Sequence, residues 1–348
     1  MSEAQHLAQL TTAARDLVSA SIRRLATRKE MGTPEGRERV QRILDAAPPD
    51  AIAHPPLRVI ERHRLSIRRG LSFRTIMIQR SEARHAGVHD RGWLLDNKNA
   101  GYAFADAIGV RRPAAQLTPS TLDSIEPRPP MVIKPTRSTG GRGVFLIQDE
   151  DHIIDVRSRQ TLSSWGQLMD RARALMTNTT RRVGDRWITE ELVLDEHGAP
   201  ARDLKFFAFY GQVLFVQEIE RLPEFRATFW DPNGQPIQTG KPASLENGYG
   251  ITADHIKLAE QVSAAIPHPF MRIDTLRASP DDLVIGEFTP RPGQFEQFDE
   301  STDRLLAEAW VRAERRLLDD ALGGKSFSSF EEATSGPDGS STSGTATR

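Results

Sequence analysis

Residues Met271–Gly293 read MRIDTLRASPDDLVIGEFTPRPG, two runs of alternating apolar and polar residues flanking Ser279-Pro280-Asp281-Asp282. Proline at the second position of that tetrapeptide marks a turn, and the stretch predicts an antiparallel β-hairpin. With the turn centred between Pro280 and Asp281, Asp274 opposes Glu287 and Arg272 opposes Thr289. Side chains two apart share a face of a strand, so all four project on one side. Carboxylates directly opposite each other repel. Either Arg272 alone neutralises a solvated hairpin, or a divalent cation sits between the acids, and hard oxygen ligands suit Mg²⁺ or Mn²⁺.

The 348 residues are 38% hydrophobic and 27% charged, an ordinary globular composition with room for one large or two ordinary cores. The net charge of −1 creates no global field that points to nucleic acid or a membrane surface. The absence of cysteine excludes disulfides, thiolate metal sites and cysteine nucleophiles. The start, MSEAQHLAQLTTAARDL, lacks the apolar core of a signal peptide, and no run of apolar residues is long enough to span a bilayer. The expected location is the cytoplasm.

Leu7, Leu10, Leu17, Ile22 and Leu25 recur at helical spacing and predict one amphipathic helix over roughly the first 28 residues. Gly32-Thr33-Pro34-Glu35 caps a second helix through Val40, Ile43 and Leu44. From Arg58 to Arg91 nine arginines face only Glu61, Glu82 and Asp90; this is either a solvated helix face or a patch for an anion. Asp96-Asn97 opens a helix carrying Tyr102, Phe104 and Ile108, closed by Gly109. Lys98 stands in its first turn, where a cation opposes the helix dipole and suggests an anion nearby, unless the lysine is simply exposed.

In MVIKPTRSTGGRGVFLI, residues 131–147, two β-prone runs embrace a glycine loop from Thr136 to Gly143. Gly140, Gly141 and Gly143 let the backbone aim N–H groups at phosphate oxygens, while Ser138 and Thr139 add hydroxyls. The alternative is a plain flexible hairpin. Lys134 lies inside the first strand, where an ammonium needs an anion. No Gly-Lys-Ser/Thr follows the glycines, the next element is a strand, and no Asp-Phe-Gly appears, which excludes a Walker loop, a Rossmann fingerprint and a protein kinase. A helix over Trp165–Met176 precedes a strand at 186–195. DLKFFAFY and VLFVQEIE form two more strands, joined at Gly211-Gln212, with Asp203 and Lys205 on one face, able to pair with each other. Helices over Ala253–Ala265 and Asp303–Leu322 complete the pattern. The Ser/Gly/Thr-rich tail from Gly323 is expected to be disordered.

The succession of an Asn-Lys helix start, a lysine strand before a glycine loop, a Glu-Glu-Leu-Val strand and an Arg-x-Asp/Glu-x-Thr hairpin resembles the ATP-grasp superfamily. DLKFFAFYGQVLFVQ and GEFTPRPGQFEQFDE resemble its TupA-like branch, linked to teichuronopeptide and other cell-surface polymer synthesis. The resemblance implies an α+β fold with two subdomains gripping ATP, about 91–188 and 189–322. A helical region, 1–90, precedes them and a disordered tail, 323–348, follows. It implies that Lys98, Lys134 and the loop Ser138, Thr139, Gly140, Gly141, Gly143 contact the ATP phosphates. Glu190, Glu191 and Val193 would lie along the adenine hinge. Lys205 would face phosphate, Arg272 would steady the transferred group, and Asp274, Glu287 and Thr289 would hold Mg²⁺. Thr289 departs from the asparagine usual at that position, and the N-terminal region departs from the usual α/β domain. The activity implied is carboxylate–amine ligation through an acyl phosphate, with an amino acid and a uronic acid or other polymer precursor as substrates. Phosphoryl transfer to a hydroxyl, or a non-catalytic nucleotide-binding scaffold, is the alternative. No nucleic-acid partner is expected.

Overall fold

The computed structural model describes all residues except 1, 26, 53, 138–139, 179, 181, 245–247 and 336–348. Two compact units emerge, one of residues 1–82 with 300–308 and one of residues 83–299 with 309–348.

The first unit is helical. It holds α1 (Glu3–Leu25), α2 (Arg28–Met31), α3 (Pro34–Ala46), α4 (His54–Arg62) and most of α5 (Phe73–His85). Thr33 caps α3 by accepting from the Gly36 amide, with Pro34 at the first helical position, as the sequence predicts. Ile22, Met31, Val40, Leu44 and Ile60 form its core. Of the predicted apolar stripe on α1, Leu7, Leu10 and Leu17 lie exposed.

The second unit contains two antiparallel sheets. β1 (Ala115–Ser120), β2 (Met131–Pro135), β3 (Phe145–Ile147), β4 (Ile153–Asp155), β5 (Gln160–Leu162) and β6 (Trp187–Glu191) make the first, in the order β1-β6-β2-β3-β4-β5. It is joined from the apolar side by α7 (Trp165–Thr177), whose Leu168 and Ala172 pack with Ile133, Phe145 and Trp187. α6 (Lys98–Ala107) precedes β1, and its Asn97 cap accepts from the Asn99 and Ala100 amides. β7 (Arg202–Ala208), β8 (Val213–Glu220), β9 (Arg226–Trp230), β10 (Met271–Ser279) and β11 (Asp282–Thr289) make the second sheet, in the order β11-β10-β7-β8-β9. β7 is buried on both faces, which explains its near-continuous apolar run. One face of this sheet packs on α6 and α8 (Ala253–Ala264) through Phe104, Ile256 and Val262. Elsewhere Phe207, Phe215, Phe270 and Trp310 build an aromatic cluster, to which α9 (Glu300–Leu322) contributes the tryptophan.

The expected hairpin forms with its register intact at the functional end: Asp274 opposes Glu287 and Arg272 opposes Thr289. It reaches that register by two opposed irregularities, Ala278 on β10 and Gly286 on β11, each left out of the ladder. Within the stretch expected to be disordered, α10 (Ser328–Thr334) forms and buries Phe330 beside Phe104, ring centroids 6.2 Å apart. Phe327 and Phe330 give an otherwise polar segment something to bury. Residues 336–348 lie outside the described part.

Candidate active site

Strand alternation decides which groups meet. On β6, Glu190 points inward and is buried, while Glu191 points the other way. The Glu190 carboxylate accepts from Lys98 Nζ at 3.1 Å, Lys134 Nζ at 2.5 Å and the Tyr102 hydroxyl at 3.2 Å. Burial works against its charge, but the two ammoniums hold its pKa below the ordinary value. Burial also works against Lys98, yet Glu190 and Tyr102 raise its pKa above that of a free lysine. Lys134 is lowered to about 8 by burial and by repulsion from Lys98, against the pull of Glu190. Lys98 additionally donates to the Gly286 carbonyl at 3.1 Å, an acceptor on the bulged residue of β11. Lys98 thereby ties the first sheet's acid to the second sheet's hairpin.

On the second sheet Asp274 lies directly beside Lys205 of β7 and opposite Glu287 of β11. Arg272 grips Asp274 with two donors, Nε to Oδ1 and Nη2 to Oδ2, both at 2.6 Å, and Lys205 makes a close contact with Oδ2. Burial would raise the Asp274 pKa, but Lys205 and Arg272 carry it far below the carboxylate range. The acid–acid repulsion anticipated from the sequence is thus met in part by Arg272 and Lys205. Arg272 also donates to the Thr289 hydroxyl at 3.2 Å and comes within 3.8 Å of Glu287. Glu287 sits in a concavity: its side chain is 57% exposed, yet surrounding protein and the Asp274 carboxylate raise its pKa. Lys205 stands 3.7 Å from Asp203, so the pairing of those two along β7 is secondary. Asp203 is instead held at 2.6 and 2.9 Å by Arg221.

A cavity of about 200 Å³ has Asp96, Lys98, Tyr102, Arg272, Glu287 and Thr289 among its walls, while Asp274, Lys205 and Glu190 stand behind that lining. Lys134 adjoins it through Glu190. Glu191 is not part of this gathering: Arg111 and the Ala114 amide take its two oxygens. Val193 is buried, its carbonyl accepting from the Ala201 amide. Gly140, Gly141 and Gly143 all adopt positive φ, and a Cβ on Gly141 would press on Val156 at 2.9 Å. Ser138 and Thr139 lie outside the described residues.

Among the described residues no three acidic or imidazole side chains form a self-sufficient metal site. The donor chemistry nonetheless fits Mg²⁺ arriving with phosphates, which asks only one or two protein carboxylates. Glu287 offers an open carboxylate, and Asp274 stands beside it with an oxygen that Lys205 could yield. Sequence reading missed Tyr102, which its helical position marks as apolar, and Arg221, which follows β8 without any motif. It also missed Lys241, in Gly240-Lys241-Pro242, which is buried, donates to the Gly293 carbonyl at 3.2 Å and is lowered to about 8 by burial and Arg272.

A search of curated protein sequences found no match. Among solved structures the chain is similar to the D-alanine–D-alanine ligase from Bacillus anthracis, with 13% identity over 65% of this chain and 69% of that one and a TM-score of 0.38. It is also similar to the VanG D-Ala:D-Ser ligase from Enterococcus faecalis (12%, 64% and 62%, TM-score 0.38). A third is the ATP-grasp ligase PsnB complexed with minimal precursor (10%, 64% and 62%, TM-score 0.36). The chain spans about three fifths of the length of the last two. No described helix is long and apolar enough to cross a membrane. The family model for TupA-like ATPgrasp matches residues 77–311, well over half of the sequence, and the chain belongs to the TupA-like ATP-grasp family.

Proposed function

We propose that this protein is an ATP- and Mg²⁺-dependent carboxylate–amine ligase working in the cytoplasm on small-molecule or polymer precursors, such as an amino acid and a uronic acid. The observation that carries the reading is a cavity that holds Lys98 beside Arg272, Glu287 and Thr289. A carboxylate oxygen attacks the γ-phosphorus of ATP as the bond to the ADP oxygen breaks, giving an acyl phosphate and ADP. An amine then attacks the acyl carbon, inorganic phosphate leaves, and the amine proton passes to phosphate or water. Both reactants of the first step are anionic, and two unit charges about 4 Å apart repel by roughly 4 kcal/mol at an effective dielectric near 20. Lys98 and Lys134 offset this by turning from Glu190 towards the phosphates, and Arg272 steadies the transferred group. Lys205 would accompany them, with Asp274 left free to hold the metal. Bound Mg²⁺ (or Mn²⁺), held by Glu287 and Asp274 with Thr289 near, would neutralise phosphate charge. The Gly140–Gly143 loop shields the acyl phosphate from water, and the Glu190–Val193 strand borders adenine.

Glu287→Ala and Lys134→Ala are expected to reduce carboxylate-dependent ADP release and hydroxamate formation, with hydroxylamine as the amine, by about a hundredfold or more. Retention of most activity in either variant overturns the assignment. A stable phosphorylated product without amide would instead make the protein a phosphotransferase.

A further inference from the structure

Around Trp93, three residues before the cavity-lining Asp96, stand charged side chains that the phosphate chemistry does not use. Asp96 lines the cavity just ahead of the α6 cap. Arg84, in the last turn of α5, lies over the Trp93 ring with its guanidinium carbon 3.9 Å from the centroid. Arg291, just beyond β11, lies 5.1 Å over the same ring. Both guanidiniums act electrostatically on Asp96, yet among the described residues neither forms an ion pair with it, and no other acid pairs with either. All three side chains are exposed. Elsewhere in this unit the arginines near carboxylates close onto them, as Arg221 does on Asp203 and Arg112 on Asp106. Here both arginines lie over one tryptophan ring, and among the described residues neither pairs with the acid.

Two cations over one tryptophan ring and one anion on the cavity wall, not paired with one another, complement a ligand carrying one negative and one positive group close together. A plain anion would meet repulsion from Asp96, and a plain amine would meet repulsion from two arginines. Guanidinium groups match a carboxylate geometrically, and a carboxylate matches an ammonium. We infer that Arg84, Arg291 and Asp96 form the amine-substrate subsite and that the ligand it takes is a free α-amino acid. Its α-carboxylate lies between the arginines and its α-amino group lies at Asp96, beside the cavity. The assignment of this ligand as the nucleophile rests on the ligase reading above.

The test is calorimetric binding to the full chain in the presence of MgADP, first with pools of the common amino acids and then with single ones. The best binder is compared with its decarboxylated amine and its deaminated carboxylic acid. The amino acid is expected to bind at least about tenfold more tightly than either half-ligand. Arg84→Gln and Arg291→Gln should abolish the preference over the amine, and Asp96→Asn the preference over the carboxylic acid. Failure of every amino acid to bind, or preferences that survive in all three variants, overturns the subsite. The hydroxylamine trap separates the two readings. Hydroxamate formed with MgATP but no preference for a zwitterion removes the subsite alone. Zwitterion selectivity lost in the variants, with no hydroxamate from any carboxylate, upholds the subsite and removes the ligase reading.

Discussion

Lys134 is a lysine whose charge the fold leaves close to balance. Burial and Lys98 lower its pKa to about 8, and the Glu190 carboxylate is what keeps the proton on it at neutral pH. Below pH 8 it presents an ammonium to phosphate, and above pH 8 it increasingly presents an amine. The KM for ATP is therefore expected to rise as pH passes upward through 8, by up to about tenfold per unit. Glu190→Gln removes the supporting anion, so the break should move to lower pH; steady-state KM measured from pH 6.5 to 9.5 in both proteins checks this. A KM that ignores pH across that window, or a break that stays in place in the variant, counts against Lys134 as a phosphate contact. The sequence announced the lysines by their positions on a capped helix and a β-strand. It could not announce that one buried glutamate serves both, because β6 meets α6 only through tertiary packing. Asp274 and Glu287 were legible as a facing pair since hairpin register is arithmetic. Their neutralisation by Lys205 was not, since it depends on β7 adding to the hairpin's far edge.

Among the elements, the segment after α9 departs most from its composition. α10 is seven residues long and would not hold as an isolated helix. Phe330, with no exposed surface, docks it against Phe104 of α6, and the Arg91 guanidinium lies 5.1 Å over its ring. Phe330→Ala should cost about 3–5 kcal/mol, the usual loss for emptying a buried phenylalanine site. A urea midpoint that moves by less than the fitting error would show that α10 contributes nothing to the unit. Caps and turns were the features best read in advance: Thr33-Pro34, Asn97 and the Ser279–Asp282 turn all carry local chemistry that acts without tertiary help. β3, β4 and β5, three residues each, are too short to show a period of two, and only β3 was foreshadowed, by the glycine loop before it. Gly286 was equally silent. A bulge that frees a carbonyl for Lys98 looks, in sequence, like any glycine in a strand.

Over the whole molecule, 46 lysines and arginines nearly balance 47 aspartates and glutamates, so no net field sets its response to pH. A few buried carboxylates do. Glu190, Asp203 and Asp274 each have a folded-state pKa below the unfolded value, despite burial, because cations sit against them. Groups shifted in this direction contribute stability that is complete above their unfolded pKa, near 4, and lost as pH falls through the folded values. Glu287 is shifted the other way and partly opposes them, since its folded form takes up a proton sooner than its unfolded form. His255 adds a further loss at milder acidity. Its Nδ1 accepts from the Thr252 amide and its Nε2 lies 2.7 Å from the Pro280 carbonyl, so the neutral ring caps α8 and braces the hairpin turn. Burial lowers its pKa, and protonation below about 6.5 favours the unfolded chain. The urea midpoint should therefore drop slightly from pH 8 to 7, as Lys134 and Lys241 regain protons that the unfolded chain already holds, decline gently below 6.5, and fall steeply below about pH 4. Asp274→Asn should cost about 3 kcal/mol at pH 7, where it leaves Arg272 and Lys205 short of a partner. The same variant should fall less steeply than the parent below pH 4, because the carboxylate whose protonation drives that limb is gone. Two curves running parallel through the acid region would mean that the Asp274 ion pairs do not govern how this fold answers to protons.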